Sequence, residues 1–260
     1  MTYALIFVFG TLIGSFLNVV ILRCGTGQFF TKGSSKCFSC GKKLAWHELI
    51  PVFSFFVQKG RCKGCASRIS LQYPLVEFFT GFLFLLIFNK FSIHLIPNTI
   101  YLWILVSLLV VIFVYDLKHM IIPNKVVWIF NFLSFLFILF RFFDLEFIWN
   151  LEFWIWNFGR YFLSGIAFFG VFAFLWLISK GRWMGFGDAK LALGLGWFLG
   201  PILTFSTFLI SFWLGAVVGI GLLALSKAKG LKSEIPFAPF LIISALASFL
   251  FDINILELLY

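Results

Sequence analysis

Charge is scarce in this chain. Asp, Glu, Lys and Arg make up 12% of 260 residues, with 20 basic against 10 acidic, about half the charged share of an ordinary soluble domain. A disordered, heavily solvated chain is excluded. So is a water-soluble globule, because the hydrophobic content is 62% and the mean hydropathy +1.06. Forty phenylalanines could not be hidden in one core of this size without large exposed apolar patches. Other absences narrow the chemistry. His47, His94 and His119 are scattered and form no His-Glu-x-x-His pair, so a zinc protease has no support. No Gly-x-Ser-x-Gly marks a serine nucleophile, and the Rossmann glycine pattern is missing. The first apolar run lacks a basic start and a small-residue cleavage site, and is read as an anchor rather than a removable leader.

What remains is a series of long apolar runs. A helix needs about 20 apolar residues to cross roughly 30 Å of hydrocarbon. Runs near that length are expected as helices over 3–22, 74–88, 97–115, 121–140, 161–179 and 236–251, with the aromatic stretch 153–158 as an interfacial belt. Residues 191–226 carry no charge, and a helix of that length, about 54 Å, exceeds one bilayer. That run divides into two, with Gly200-Pro201 as the break, since proline cannot continue the hydrogen-bond ladder. The expected fold is an all-α polytopic membrane protein of about eight transmembrane helices with a small cytoplasmic zinc-binding loop domain. Its divisions are a first span over 1–22, a four-cysteine zinc-binding loop over 23–73 and a membrane domain over 74–260.

Segments 23–73, 117–125, 180–190 and 227–235 hold 9, 2, 3 and 3 basic residues, leaving only Lys90, Arg141 and Arg160 for the opposite side. By the positive-inside rule those four segments are cytoplasmic and both termini non-cytoplasmic. The formal charge of +10 is then accounted for by topology and anionic lipid, and needs no nucleic acid.

Four of the five cysteines form Cys37-x-x-Cys40 and Cys62-x-x-Cys65. Each pair offers two thiolates from one turn, and two pairs complete tetrahedral Zn²⁺. Glycines 41 and 64 stand where such turns need a permissive backbone. A cytoplasmic segment is reducing, which argues against two disulfides, and a polar loop with little core gains its fold from the ion. Cys24 is left as a free thiol.

Acidic residues at membrane depth are expensive, which singles out Asp116 and Asp188. Asp116 follows the third expected span, and Asp188 stands in Gly185-Phe186-Gly187-Asp188-Ala189-Lys190. Two such groups near one another can share a proton, one serving as base on a water and the other as acid toward the scissile carbonyl. Taken alone, each reads more readily as a helix cap or the partner of a nearby lysine such as Lys118 or Lys190. A transporter using intramembrane carboxylates is the alternative, although paired, interrupted repeats are absent. A membrane-tethered zinc ribbon that recruits a partner is a third.

These motifs together resemble the type IV prepilin peptidases. The resemblance runs through Gly14-Ser15-Phe16-Leu17-Asn18-Val19-Val20, the cysteine pairs with Trp46-His47-Glu48-Leu49-Ile50-Pro51-Val52 between them, and Tyr73-Pro74-Leu75-Val76-Glu77. It continues through Asp116 with Ile121-Ile122-Pro123, the G-x-G-D motif at Asp188, and Glu234-Ile235-Pro236-Phe237-Ala238-Pro239-Phe240. It implies an aspartic peptidase of the bacterial inner membrane, with Asp116 and Asp188 as the catalytic pair, that removes the leader of prepilin and pseudopilin precursors. It also implies N-methylation of the new terminus from S-adenosylmethionine, and Zn²⁺ on Cys37, Cys40, Cys62 and Cys65. Three positions depart from the pattern: Asn124 replaces an aspartate after Ile-Pro, Gly25 replaces a proline, and Phe186 replaces methionine. None removes a proposed catalytic group.

Overall fold

The computed structural model describes residues 1–25, 35–91, 96–141, 151–225 and 235–258. Among these the regular elements are helices: α1 (Thr2–Arg23), α2 (Phe53–Val57), α3 (Gln72–Phe91), α4 (Ile96–His119) and α5 (Asn124–Arg141), then α6 (Leu151–Ser179), α7 (Phe186–Leu199), α8 (Pro201–Leu225), α9 (Ala238–Phe251) and α10 (Ile255–Leu258). Eight of them fall in the eight runs expected as spans, and five of these have the length and composition of a crossing. The candidate spans 2–23, 72–91, 98–119, 155–179 and 201–222 are long and apolar enough to cross a bilayer; 124–140 and 238–251 are shorter apolar helices. The chain is a multi-pass membrane protein.

Two compact units divide the chain, Met1–Val111 and Ile112–Tyr260. In the first, α1 and α3 pack through small residues. A Cβ at Gly10 would fall 2.7 Å from the Gly81 Cα, and one at Gly14 would fall 2.7 Å from the Glu77 Cα. Glycine costs a helix about 1 kcal/mol against alanine, and close backbone approach between apolar helices is what it provides here. Farther along, Phe84 stacks on Trp103 of α4 at 4.9 Å, and the Trp103 indole N–H donates to the Phe84 carbonyl at 3.1 Å, so the half-buried indole keeps a partner.

In the second unit α7 is the central element, with Ala189, Leu191, Ala192, Leu195 and Phe198 all fully buried. Its glycines again set the spacing: a Cβ at Gly196 would lie 2.6 Å from the Gly165 Cα of α6, and the Ser164 hydroxyl donates to the Gly196 carbonyl at 2.7 Å. The Gly200-Pro201 break forms as expected. Gly200 adopts φ 76, ending α7, and Pro201 opens α8, where its missing N–H costs nothing.

The helices differ from the sequence expectation at their ends. α4 continues to His119 and α7 begins at Phe186, so Asp116 and Asp188 lie inside helical turns rather than beside them. The aromatic stretch 153–158 extends the fifth expected span upstream into the 29-residue α6. Glu234 and most of the basic segment before it lie outside the described residues.

Candidate functional site

Asp116 occupies the last turn of α4. The helix stops because Met120 adopts φ 55 and its N–H returns to the Asp116 carbonyl at 2.8 Å, a left-handed termination. The chain then runs through Ile122 to Pro123, whose carbonyl accepts from the Val126 and Val127 N–H groups as α5 begins. Asp188 comes from a second thread, in the first turn of α7, where Gly185 is the N-cap. A carboxylate is favoured at that end by the free N–H groups and the helix dipole. Backbone N–H groups of Gly185 and of Asp188 itself reach it.

Three contacts tie the threads together. Ile122 packs onto Gly187 so closely that a Cβ there would lie 3.0 Å from the Ile122 Cβ. The Lys190 Nζ donates to the Asn124 Oδ1 at 2.9 Å, and the Asn131 side-chain amide donates to the Lys190 carbonyl at 3.0 Å. Asp116 is 4% exposed and Asp188 7%, and the charge of Asp116 acts on Asp188. The two carboxylates thus form an interacting buried pair. Lys190, weighed from the sequence as a partner for an aspartate, bonds Asn124 instead, at the position where the resembling family has an acid.

The four cysteines converge in the first unit. All four sulfurs lie within 4.8 Å of one another, with the Cys37 and Cys65 Sγ atoms 3.8 Å apart. A tetrahedron with metal–sulfur bonds of about 2.3 Å requires sulfur spacings of about 3.8 Å, so the cluster can hold a metal ion. Two matching turns build it. Residues Lys36 and Lys43 bridge around the first, and Arg61 and Arg68 around the second. The Gly41 N–H donates to the Cys37 carbonyl at 2.9 Å, and the Ala66 N–H to the Cys62 carbonyl at 2.8 Å. The left-handed position falls at Gly41 (φ 71) and Ala66 (φ 56), so the second turn places alanine where the first has glycine. Gly64 instead packs on sulfur: a Cβ there would meet the Cys40 Sγ at 3.6 Å and the Cys62 Sγ at 3.8 Å.

The thiols are already biased by their surroundings. Backbone N–H groups of Cys40 and Ser39 and the Ser67 hydroxyl lower Cys37 from 9.0 to about 6. At Cys40 the Lys42 N–H favours the thiolate, but the crowding sulfurs of Cys65 and Cys37 prevail and the thiol rises to about 11. Cys40 is thus the thiol that a bound cation would have to deprotonate against its surroundings. Glu48 braces the loop: its carboxylate accepts from the Ala45 N–H at 2.9 Å and from the Lys42 Nζ at 3.0 Å.

One further acid, known from the sequence only as the last residue of the Tyr73-Pro74-Leu75-Val76-Glu77 motif and given no role there, is buried in the first unit. Glu77 of α3 is 7% exposed and accepts the Val52 N–H at 2.7 Å. Its cost at membrane depth is the signal that could have marked it beside the aspartates.

A polytopic helical membrane protein with a buried carboxylate pair and a four-cysteine cluster is the class that fold and site define. Comparison with known proteins gives the family. Residues 8–91 match the family described as Bacterial Peptidase A24 N-terminal domain, and residues 103–220 match the Type IV leader peptidase family. The prepilin leader peptidase/N-methyltransferase of Bacillus subtilis (strain 168) is 31% identical over 256 residues, covering 98% of this chain and 96% of its own. That of Aeromonas salmonicida (strain A449) is 30% identical over 288 residues, covering 93% and 88%. A Myxococcus xanthus (strain DK1622) protein of the same name is 44% identical over 120 residues, covering 45% of this chain and 35% of its own. No solved structure matches the chain. The chain belongs to the type IV leader peptidase family.

Proposed function

We propose that this protein removes the leader from prepilin and pseudopilin precursors, and that Asp116 and Asp188 are the catalytic pair. The observation that carries the reading is their convergence, from the end of α4 and the start of α7, into one buried and interacting pair. Two carboxylates so placed divide one proton. The ionised one takes a proton from a water, whose oxygen attacks the scissile carbonyl. The protonated one hydrogen-bonds that carbonyl oxygen, and a proton then passes to the leaving amide nitrogen as the C–N bond breaks. Gly185 beside Asp188, where a Cβ would meet nothing closer than the Asp188 Oδ2 at 3.7 Å, leaves room for an extended substrate backbone.

The relatives' names also carry N-methyltransferase, and we assign methylation of the new terminal amine to this chain as its second activity, with S-adenosylmethionine as methyl donor. Cys37, Cys40, Cys62 and Cys65 hold Zn²⁺, whose thiolate coordination supplies folding energy to a loop that has little core. The distribution of basic segments supports a cytoplasmic side of the inner membrane for the cysteine loop and both aspartates, with anionic lipid meeting that basic face and both termini opposite. Nothing among the relatives favours the transporter alternative. The test is cleavage of a prepilin by full chain reconstituted in lipid: Asp116→Asn and Asp188→Asn should each abolish product while the protein remains folded. Wild-type cleavage by either variant would overturn the catalytic assignment.

A further inference from the structure

A second polar site lies in the first unit, at the loop end of α1 and α3. Glu77 is buried in a helix whose other inward residues are mostly apolar or small. Its Oε2 accepts the Val52 N–H at 2.7 Å, and the Ser15 hydroxyl bonds it as well. One turn along α1 from Ser15, the Asn18 side-chain N–H donates to the Tyr73 carbonyl at 3.2 Å, one turn before Glu77. That bond fixes the amide orientation and turns the Asn18 Oδ1 the other way, where this atom is buried with no donor; Asn18 as a whole is 2% exposed.

Two further costs meet at this point. A carboxylate in an apolar span is expensive, and Val52 is a β-branched residue held at φ 60, an outlier conformation. Glu77 alone could be explained as the brace for Val52. The unpartnered Asn18 oxygen cannot, because it satisfies nothing in the fold. A carboxylate has about four lone-pair positions, and two donors reach this one. The unused capacity of Glu77 and Asn18 is all acceptor, so the complementary ligand presents several N–H donors to them. A primary amine fits; an anion or a carbonyl does not. Ser15 and Val52 are half-buried and form the approach.

We propose that Glu77, Asn18 and Ser15 form the site that receives the new N-terminal amine of the cleaved substrate for methylation, with Glu77 as general base. This rests on the methyltransferase half of the function proposed above. The amine nitrogen forms the bond to the methyl carbon while the sulfur–methyl bond of a sulfonium donor breaks, its electrons returning to sulfur. One N–H proton of the resulting secondary ammonium passes to the Glu77 carboxylate. Asn18 accepts a second N–H and orients the nitrogen.

The test uses full chain in proteoliposomes, with prepilin and with pilin already carrying a free terminal amine. Glu77→Gln should cleave prepilin within about twofold of wild type and lose methyl transfer about 100-fold or more, as expected for removal of a general base. Asn18→Ala, which leaves the Glu77–Val52 bond in place, should raise KM for the cleaved pilin in methylation and leave cleavage unchanged. Without any methyl donor, adding cleaved pilin should shift a carboxylate infrared band of the wild-type protein that the Glu77→Gln protein lacks; pilin with an acetylated terminus should not. Wild-type methylation by Glu77→Gln overturns the proposal, as does equal loss of cleavage and methylation. If Glu77→Gln fails to fold, unchanged KM in Asn18→Ala overturns it. A wild-type protein that transfers no methyl group removes the methyltransferase reading and this site together, whereas transfer by wild type and Glu77→Gln alike removes the site alone.

Discussion

Gly187 and Ile122 pack together across the gap between the end of α4 and the start of α7, and a side chain on the glycine would have to push the isoleucine aside: a Cβ would lie 3.0 Å from the Ile122 Cβ and 3.2 Å from its Cδ1. Gly187→Ala should therefore push apart the two backbones that carry Asp116 and Asp188. Displacements of about 1 Å at a reacting pair cost about 100-fold in rate. The expected result is a cleavage rate reduced about tenfold for Gly187→Ala and further for Gly187→Val. Ile122→Ala in the Gly187→Ala background should recover part of the loss. Prepilin cleavage by purified protein measures all three.

The two cysteine turns differ at their left-handed residue, and the difference is testable. Ala66 holds φ 56 with a side chain, whereas Gly41 holds φ 71 without one. Ala66→Gly should stabilise the loop by about 1 kcal/mol, and Gly41→Ala should destabilise it by about the same amount or more. Protection of the loop from limited proteolysis, at matched zinc, reports both.

Metal removal should unfold the loop without dissolving the helices. Chelation, or Cys62→Ser at the buried ligand, is expected to expose 36–68 to proteolysis while far-ultraviolet helicity changes little. One Zn²⁺ per chain by elemental analysis, lost in the variant, completes the prediction.

The Glu48 carboxylate lies below its ordinary value of 4.5 because the Ala45 N–H and then the Lys42 ammonium favour its charged form. A lowered carboxylate contributes stability that is present above its unfolded value and is lost as pH falls through the folded one. Acidification from about pH 5 downward should thus weaken the wild-type loop more than a Glu48→Gln loop. The difference between the two isolates this group from the cysteine thiols, which also protonate in acid. Loop protection against pH, for both proteins, checks it.

Much of this architecture was readable from one chain, for physical reasons that can be named. Gly200-Pro201 had to break a run too long for one bilayer, and it does. The four sulfurs follow from two short turns whose spacing tolerates little else. Asp116 and Asp188 stood out because charge is costly where they lie. What escaped notice depends on which helix faces which. Gly10 and Gly14, four residues apart, carried a packing signal whose partner, α3, becomes evident only on folding. Glu77 carried the cost of an acid at membrane depth, but its link to Asn18, on a different helix, is seen only once one bond is made and another left unmade. The α2 helix arises inside a polar loop of only moderate apolar content, where hydrophobic periodicity has too few residues to register.

The duplicated form of the cysteine turns has a consequence for biosynthesis. Each turn closes on its own backbone bonds but presents only two sulfurs, so a tetrahedral ion cannot be completed until Cys65 has left the ribosome. By then α1 has been synthesised, and it must wait beside an unfinished loop for the helix that will cover Gly10 and Gly14. A metal ion can therefore be captured only as α3 begins to emerge, so closure of the cysteine loop and the packing of α3 on Gly10 and Gly14 of α1 fall at the same stage of synthesis.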